Sequence, residues 1–289
     1  MAVMEYKAAT SLDEAVEFLV NAAHAARVLA GGTDLIIQSK GKYDNPVTVI
    51  DVKGIESMMT AELSDDGLVL GPSMSCAKFT ARDDIKAVYP GLVEAAYLIG
   101  STQVQGRASV GGNLCNSSPA ADTVPALIAN AAICVIQGPG GQREVPVEAF
   151  TTGVGTNVME KGELLCALRL PRPAPNTSDA YLRFIPRTEM DIAVAGAGVS
   201  ITLGEDGKVT AARVGIGAVA PKALRVEAAE QALIGSSLDD AALDAAAKAA
   251  SDASSPISDR RGTVEYRRHV VGVLVKRAAK IAAERAKGN

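Results

Sequence analysis

Three prolines within five residues, at Pro171, Pro173 and Pro175, most strongly constrain how this chain of 289 residues can fold. Proline lacks a backbone N–H and fixes φ, so neither a central strand nor a helix interior can continue through such a segment. The break predicts two parts, residues 1–175 and 176–289. Each part carries both strand-like and helix-like patterns, and we therefore expect an α+β class with two domains.

Local patterns predict the main elements of both parts. Ser11 and Glu14 have the spacing of a capping box, and Leu12, Ala15, Val16 and Leu19 follow at helical intervals. This first helix is predicted to extend to His24. Further helices are predicted at 91–98, 222–233, 238–253 and 264–286, and strands at 27–30, 47–52, 68–70, 180–185, 192–203 and 208–217. The run 124–136 predicts a buried helix leading into a strand. The segment 100–122, rich in Gly, Ser and Asn, predicts a long ordered loop.

Charge and composition exclude several functions. A net charge of −4 and only 3% aromatic residues with no Trp argue against nucleic-acid binding. No uncharged apolar run reaches the roughly 20 residues that span a bilayer, and Met1 to Lys7 do not resemble a signal peptide. The four cysteines lack metal-ligand spacing, and the two histidines cannot complete a zinc site. These features predict a cytoplasmic protein with reduced cysteines, no transmembrane segment and no metal of its own.

Two glycine-rich turns are the strongest functional signals. The first is the segment Val28, Leu29, Ala30, Gly31, Gly32, Thr33, Asp34 and Leu35, in which a predicted strand ends in a glycine pair. Glycine lets backbone N–H groups approach an anion closely, which suits a pyrophosphate, although a plain strand–helix turn has the same pattern. The second turn runs from Gly106 to Asp122. It concentrates small residues, amides and hydroxyls that could surround a polar ligand.

Other nucleotide and catalytic motifs fail in detail. Gly106 to Gly111 has the glycine spacing of a P-loop but lacks the required Lys-Ser/Thr. The segment Gly215 to Ala220 has the spacing of a Rossmann fingerprint, but no βαβ pattern surrounds it. It predicts a strand end followed by a turn. His24 and His269 are both predicted on helix surfaces, so neither is a convincing catalytic base. We therefore predict no catalytic acid–base residue in this chain.

The two turns, in this order and at this distance, resemble the FAD-binding subunit of the xanthine dehydrogenase family of molybdenum hydroxylases, which includes the aerobic carbon monoxide dehydrogenases. Residues 30–35 resemble the first FAD loop of that family, and residues 108–113 continuing to Asp122 resemble the second. The likeness extends to Glu163–Leu165 before Leu170, to the segment 183–193 and to 266–268. It therefore covers nearly the whole chain.

The resemblance implies a two-part FAD-binding domain of the vanillyl-alcohol-oxidase (PCMH) type, followed by a small α+β domain. Residues Val28 to Leu35 would wrap the pyrophosphate. Asp122 would accept hydrogen bonds from a ribose or ribityl hydroxyl. Leu165 and Arg183 would lie near the isoalloxazine, and family members often carry Lys where Arg183 stands. Ile99 or Gly100 would lie near the ring or chain, and the phosphates and ribityl chain would be held by Ser109, Val110, Gly111, Gly112 and Asn113.

The resemblance also implies partners. Electrons would come from a large molybdopterin subunit through two [2Fe–2S] clusters on a small subunit to the FAD of this chain, in a dimer of heterotrimers. The final acceptor would be NAD⁺, a quinone or O₂. Two alternatives stay open at this point: a self-contained flavin oxidase, and a flavin-free assembly subunit.

Overall fold

The computed structural model describes residues 4–39 and 46–288. The strands are Met4–Ala8 (β1), Ala25–Leu29 (β2), Val47–Asp51 (β3), Ala61–Ser64 (β4), Gly67–Leu70 (β5), Ile133–Gly138 (β6), Gly141–Pro146 (β7), Thr151–Gly153 (β8), Thr156–Asn157 (β9), Leu164–Pro171 (β10), Thr177–Phe184 (β11), Ala195–Leu203 (β12), Val209–Gly217 (β13) and Leu224–Arg225 (β14). The helices are Leu12–Val20 (α1), Leu35–Ser39 (α2), Cys76–Thr80 (α3), Asp83–Val88 (α4), Pro90–Tyr97 (α5), Thr102–Gln105 (α6), Val110–Cys115 (α7), Thr123–Ala129 (α8), Val147–Phe150 (α9), Glu227–Leu233 (α10), Asp240–Ala253 (α11) and Val264–Ala286 (α12). The predicted α+β class is confirmed. Met1 to Val3, part of the segment considered for a signal peptide, lie outside the described residues.

Within residues 4–39 and 46–288 the strands form four sheets. A three-stranded parallel sheet has the order β1-β3-β2, and a five-stranded antiparallel sheet has the order β4-β5-β10-β6-β7. A four-stranded antiparallel sheet, β11-β12-β13-β14, follows the proline-rich segment, and β8 pairs with β9. Among the helices described, none is long and apolar enough to cross a bilayer.

The first helix shows how local sequence sets these elements. Ser11 is the N-cap, and its side chain accepts a hydrogen bond from the backbone N–H of Glu14. Glu14 itself accepts from the backbone N–H and hydroxyl of Thr10, both at 2.7 Å, so the reciprocal half of the capping box goes to the preceding residue. The helix ends at Val20. The prediction that His24 lies on it is wrong, because Asn21 already caps the helix and His24 falls in the turn to β2.

The predicted loop 100–122 is also wrong in part, since it contains α6 and α7. Ser109 caps α7 with its side chain, and Val110 and Leu114, one turn apart, are both buried in the core. This apolar i, i+4 pair gives the short helix a packed face although its sequence is rich in glycine. The prediction for 222–233 is corrected in the same way, because β14 occupies 224–225 and α10 begins only at Glu227.

Glycines let α8 pack closely on the four-stranded sheet. A Cβ atom at either Gly198 or Gly215 would come within 2.5 Å of the carbonyl oxygen of Pro125. Neighbouring residues such as Val199 and Val214 are buried in a cluster with α12. Because side chains alternate along a strand, α8 and α12 cover opposite faces of this sheet. The Rossmann-like glycines are therefore packing residues, and the predicted strand end followed by a turn at Gly217 is confirmed.

One buried carboxylate connects the segments before and after the prolines. Asp179 on β11 accepts hydrogen bonds from the backbone N–H groups of Gly91 (2.9 Å) and Leu92 (3.1 Å) and from Asn130 Nδ2 (2.6 Å). Arg285 of α12 donates to the carbonyl oxygen of Asp179 at 2.9 Å and pairs with Glu94 of α5. Burial raises the pKa of Asp179 to about 6. The network ties α5, α8, β11 and α12 together.

Candidate functional site

A large cavity lies where the two glycine-rich turns meet. Its volume is about 910 Å³, near the upper end of the range for small-molecule sites, so it suits a ligand as large as a dinucleotide. Most of the predicted site residues line it: Val28, Ala30, Gly31, Gly32, Thr33, Asp34, Leu35, Ile99, Ser109, Gly111, Gly112, Asn113 and Leu165. Segments separated by up to 137 positions, from Val28 to Leu165, thus converge on one cavity.

The first turn is fixed by contact with the second. A Cβ atom on Gly31 would lie 1.9 Å from the carbonyl oxygen of Arg107, so no other residue fits there without moving backbone. Gly32 has a φ of +79°, a conformation that favours glycine. Its carbonyl accepts from the N–H of Ile36 at 3.0 Å, where α2 begins. The glycine pair thus serves both close packing and a sharp change of chain direction.

The second turn packs against Pro72 on one side, and its other side faces the cavity. The N–H of Gly111 donates to the carbonyl of Pro72 at 3.1 Å, and a Cβ at Gly111 would lie 2.3 Å from Pro72 Cβ. The N–H of Gly112 donates to Ser109 Oγ at 3.1 Å. A Cβ at Gly112 would meet only that hydroxyl within 4 Å, because the space before Gly112 is the cavity.

A polar bridge that sequence reasoning missed joins the two turns. Gln38 Nε2 donates to Asn116 Oδ1 at 3.1 Å, and Asn116 Nδ2 donates to Asp34 Oδ1 at 3.2 Å. Gln38 and Asn116 also line the cavity. The available sequence signals were that Gln38 closely follows the first turn and that Asn116 lies within the second.

Residues 155–165 form a third wall of the cavity, and Leu165 is the one predicted site residue among them. Asn157 Nδ2 donates to the carbonyl of Cys115 at 3.2 Å, which attaches this wall to α7. Arg143 makes two 2.7 Å hydrogen bonds to Glu163, and these lower the pKa of the Glu163 carboxyl. The charged residues lining the cavity are Arg27, Asp34, Glu160, Lys161 and Glu163, with His24 beside them.

Five predicted residues do not line this cavity. Asp122 and Arg183 pair with each other at 2.7 Å, and the hydroxyl of Tyr181 donates to the other oxygen of Asp122 at 3.0 Å. Burial raises the pKa of Asp122, although Arg183 and Tyr181 act in the opposite direction. Arg183 Nε is buried without a hydrogen-bond partner in the described structure. The other three are Val110, in the core, Gly100, beside Ile99, and Leu29, beneath the first turn.

The shape and lining of the cavity fit FAD. Gly112 leaves cavity space that a side chain would fill, and the lining mixes amides and hydroxyls with apolar Ile99 and Leu165. A lining of this kind suits a ligand with a phosphate-bearing, hydroxyl-rich middle and flat aromatic ends. In the described part of the chain, no group of three His, Cys, Asp or Glu side chains could hold a metal ion.

The chain matches two sequence families in succession. The family described as the FAD binding domain in molybdopterin dehydrogenase matches residues 2–173, and the CO dehydrogenase flavoprotein C-terminal domain matches residues 180–282.

Individual proteins give the same result. The chain is 32% identical over 283 residues to the carbon monoxide dehydrogenase medium chain of Afipia carboxidovorans, with 98% of each chain covered. It is 29% identical to the xanthine dehydrogenase FAD-binding subunit of Escherichia coli O157:H7, covering 98% of this chain and 97% of that one. A carbon monoxide dehydrogenase from Hydrogenophaga pseudoflava that lacks the Mo-pyranopterin moiety superposes with a TM-score of 0.93 and 34% identity, with 98% of each chain covered.

Proposed function

Because the chain belongs to the family of FAD-binding subunits of molybdenum hydroxylases, we propose that it relays electrons from iron–sulfur clusters of a partner to an external acceptor. Bound flavin supplies the redox chemistry of such a subunit, and the protein binds, orients and shields it. The observation that carries the proposal is the convergence of both glycine turns on one cavity. The partners would be a large molybdopterin subunit and a small [2Fe–2S] subunit, in a dimer of heterotrimers in the cytoplasm. The acceptor would be NAD⁺, a quinone or O₂.

Each wall of the cavity has a distinct part in this proposal. The turn from Val28 to Leu35 would hold the pyrophosphate, because backbone N–H groups at a glycine turn can donate to an anion. The segment from Ser109 to Asn113 holds the phosphates and ribityl chain. Ile99 and Leu165 would bring apolar surface to the ring and exclude water from it.

Asp122 and Arg183 act as a pair. Each oxygen of Asp122 already accepts one hydrogen bond from the protein, and each keeps a lone pair for a hydroxyl of the ligand. Arg183 has a buried Nε–H that a ligand oxygen would satisfy. Contact between this pair and the cofactor requires the ring end of the ligand to extend beyond the cavity lining. Tyr181 keeps Asp122 in place by donating its hydroxyl proton.

We expect the purified complex to be yellow and to release FAD rather than FMN on denaturation. The cavity at which the two glycine turns meet has room for the pyrophosphate of FAD, which FMN lacks. Absorbance near 450 nm followed by chromatography of the released flavin measures this. Colourless protein that also fails to take up added FAD would support the flavin-free assembly subunit instead.

Removal of FAD from the complex tests the relay. We expect substrate still to reduce the iron–sulfur clusters, while turnover with the natural acceptor stops and returns when FAD is added back. Cluster bleaching in a stopped-flow spectrometer and acceptor reduction give the two measurements. If the isolated chain oxidised a small organic substrate as fast as the complex does, the self-contained oxidase would replace the relay.

A further inference from the structure

The side-chain amide of Asn113 is held in one orientation by Thr123. The backbone N–H of Thr123 donates to Asn113 Oδ1 at 3.1 Å, and the hydroxyl of Thr123 donates to the same oxygen at 2.7 Å. A backbone N–H can only donate, so the atom of Asn113 that faces Thr123 is the carbonyl oxygen of the amide. The NH₂ end of the amide therefore lies on the side away from Thr123.

The NH₂ end of Asn113 has no acceptor in the protein. Within residues 4–39 and 46–288, Asn113 Nδ2 makes no hydrogen bond, and Asn113 lines the large cavity. An amide whose oxygen already accepts two hydrogen bonds can offer a further ligand only its two N–H donors. Phosphate and hydroxyl oxygens, which make up the middle of FAD, are acceptors for such donors.

Thr123 does not itself reach the cofactor cavity. Its side chain is 0% exposed, and it does not line the cavity. Thr123 is the first residue of α8, whose seven residues are all buried, so the packing of the helix fixes its position. Asp122 directly precedes it and is held by Tyr181 and Arg183. Adjacent residues at the start of α8 thus connect to two residues to which cofactor contacts are assigned.

We propose that Thr123 is a positioning residue for the cofactor, which turns Asn113 Nδ2 toward the cavity so that it donates to an oxygen of the phosphate–ribityl part of FAD. The role rests on the proposed function, because it requires FAD in this cavity. If the amide were reversed, its carbonyl oxygen would face the negatively charged phosphates. Fixing the amide before FAD arrives removes the entropic cost of ordering it on binding.

A double-mutant cycle in the full chain tests whether Thr123 acts through Asn113. Thr123→Val keeps the shape of the side chain but places a methyl group against Asn113 Oδ1, and we expect affinity for FAD to fall about 10-fold. In Asn113→Ala the same change at Thr123 should alter the affinity by less than about 2-fold, because the group that it positions is gone. Thr123→Ser keeps the hydroxyl and should bind FAD as wild type does. Quenching of FAD fluorescence on titration with apoprotein measures each affinity.

Asn113→Asp tests the donor itself. At pH 8 one carboxylate oxygen still accepts both hydrogen bonds from Thr123, while the other replaces the NH₂ group with a negatively charged acceptor. We expect a greater loss of FAD affinity than in Asn113→Ala, because this charge would face the phosphates. Wild-type affinity in Asn113→Asp would overturn the proposal, since FAD would then need no donor at this position.

Thr48→Val is the matched control. Thr48 is also 0% exposed, its hydroxyl donates to Glu5 at 2.9 Å, and it lies outside the cavity lining, so FAD affinity should equal that of wild type. Wild-type affinity in Thr123→Val would overturn the positioning role. An equal loss from Thr123→Val with and without Asn113 would also overturn it, because Thr123 would then act only through the fold. Both results leave the proposed function standing, whereas a wild-type chain that takes up no FAD would overturn the proposed function and this role together.

Discussion

Gly112→Val is expected to abolish FAD binding while leaving the fold intact. The direction in which a side chain at Gly112 would extend is open apart from Ser109 Oγ, and that open space is the cavity. Valine would occupy the volume that the phosphates and ribityl chain require and would displace the hydroxyl that caps α7. We expect affinity for FAD to fall by at least about 100-fold, equivalent to about 2.7 kcal/mol. Flavin content after purification and titration of the apoprotein with FAD measure the loss.

Gly140→Val is the matched control for this substitution. Gly140 lies in the β6–β7 connection, and a Cβ atom there would have no neighbour within 4 Å. It lies outside the cavity lining, so flavin content should remain at the wild-type level. Far-ultraviolet circular dichroism should be unchanged in both variants. Full flavin occupancy in folded Gly112→Val protein would show that the second turn does not hold the cofactor.

Asp179→Ala is expected to lower the free energy of unfolding by about 2–4 kcal/mol. The substitution leaves the N–H groups of Gly91 and Leu92 and the amide of Asn130 buried without their acceptor. Each unsatisfied buried donor costs about 1–3 kcal/mol, and relief of the buried charge offsets part of the sum. Urea denaturation followed by circular dichroism measures the change. Asp65→Ala, at an exposed position, should remain within about 0.5 kcal/mol of wild type.

The same carboxylate predicts a pH dependence with a definite sign. Burial raises the pKa of Asp179 from 3.8 to about 6, so the folded protein binds a proton more tightly than the unfolded chain. Its contribution to stability is therefore greatest at low pH and is lost as pH rises toward about 6. Relative to Asp179→Asn, wild type should lose up to about 3 kcal/mol of stability between pH 4 and pH 7. A stability difference that does not change with pH would contradict this account.

Local patterns were sufficient for most elements and for the two glycine turns. The cap at Ser11, the apolar spacing of α1 and the long stripe of α12 depend on residues within a few positions of one another. The glycine turns were visible because a reversal of the chain and a close backbone approach each restrict residue type at a single position. The family resemblance rested on these same turns. The comparisons confirm the resemblance, whereas each cofactor contact remains a prediction.

Local patterns failed where an element depends on what packs against it. The sequence of α7 predicts a loop, because its glycines obscure the apolar spacing of the buried pair Val110 and Leu114. His24 was assigned to α1 because the helical pattern does not show where the cap at Asn21 ends it.

Only the tertiary structure decided how the cavity is completed. The bridge from Asp34 through Asn116 to Gln38 joins residues about 80 positions apart, and the wall 155–165 comes from still further along the chain. The structure also paired Asp122 with Arg183 outside the cavity lining and brought Thr123 to Asn113. Such contacts have no sequence period, because a hydrogen bond or an ion pair depends on distances that are set only when the sheets and helices pack.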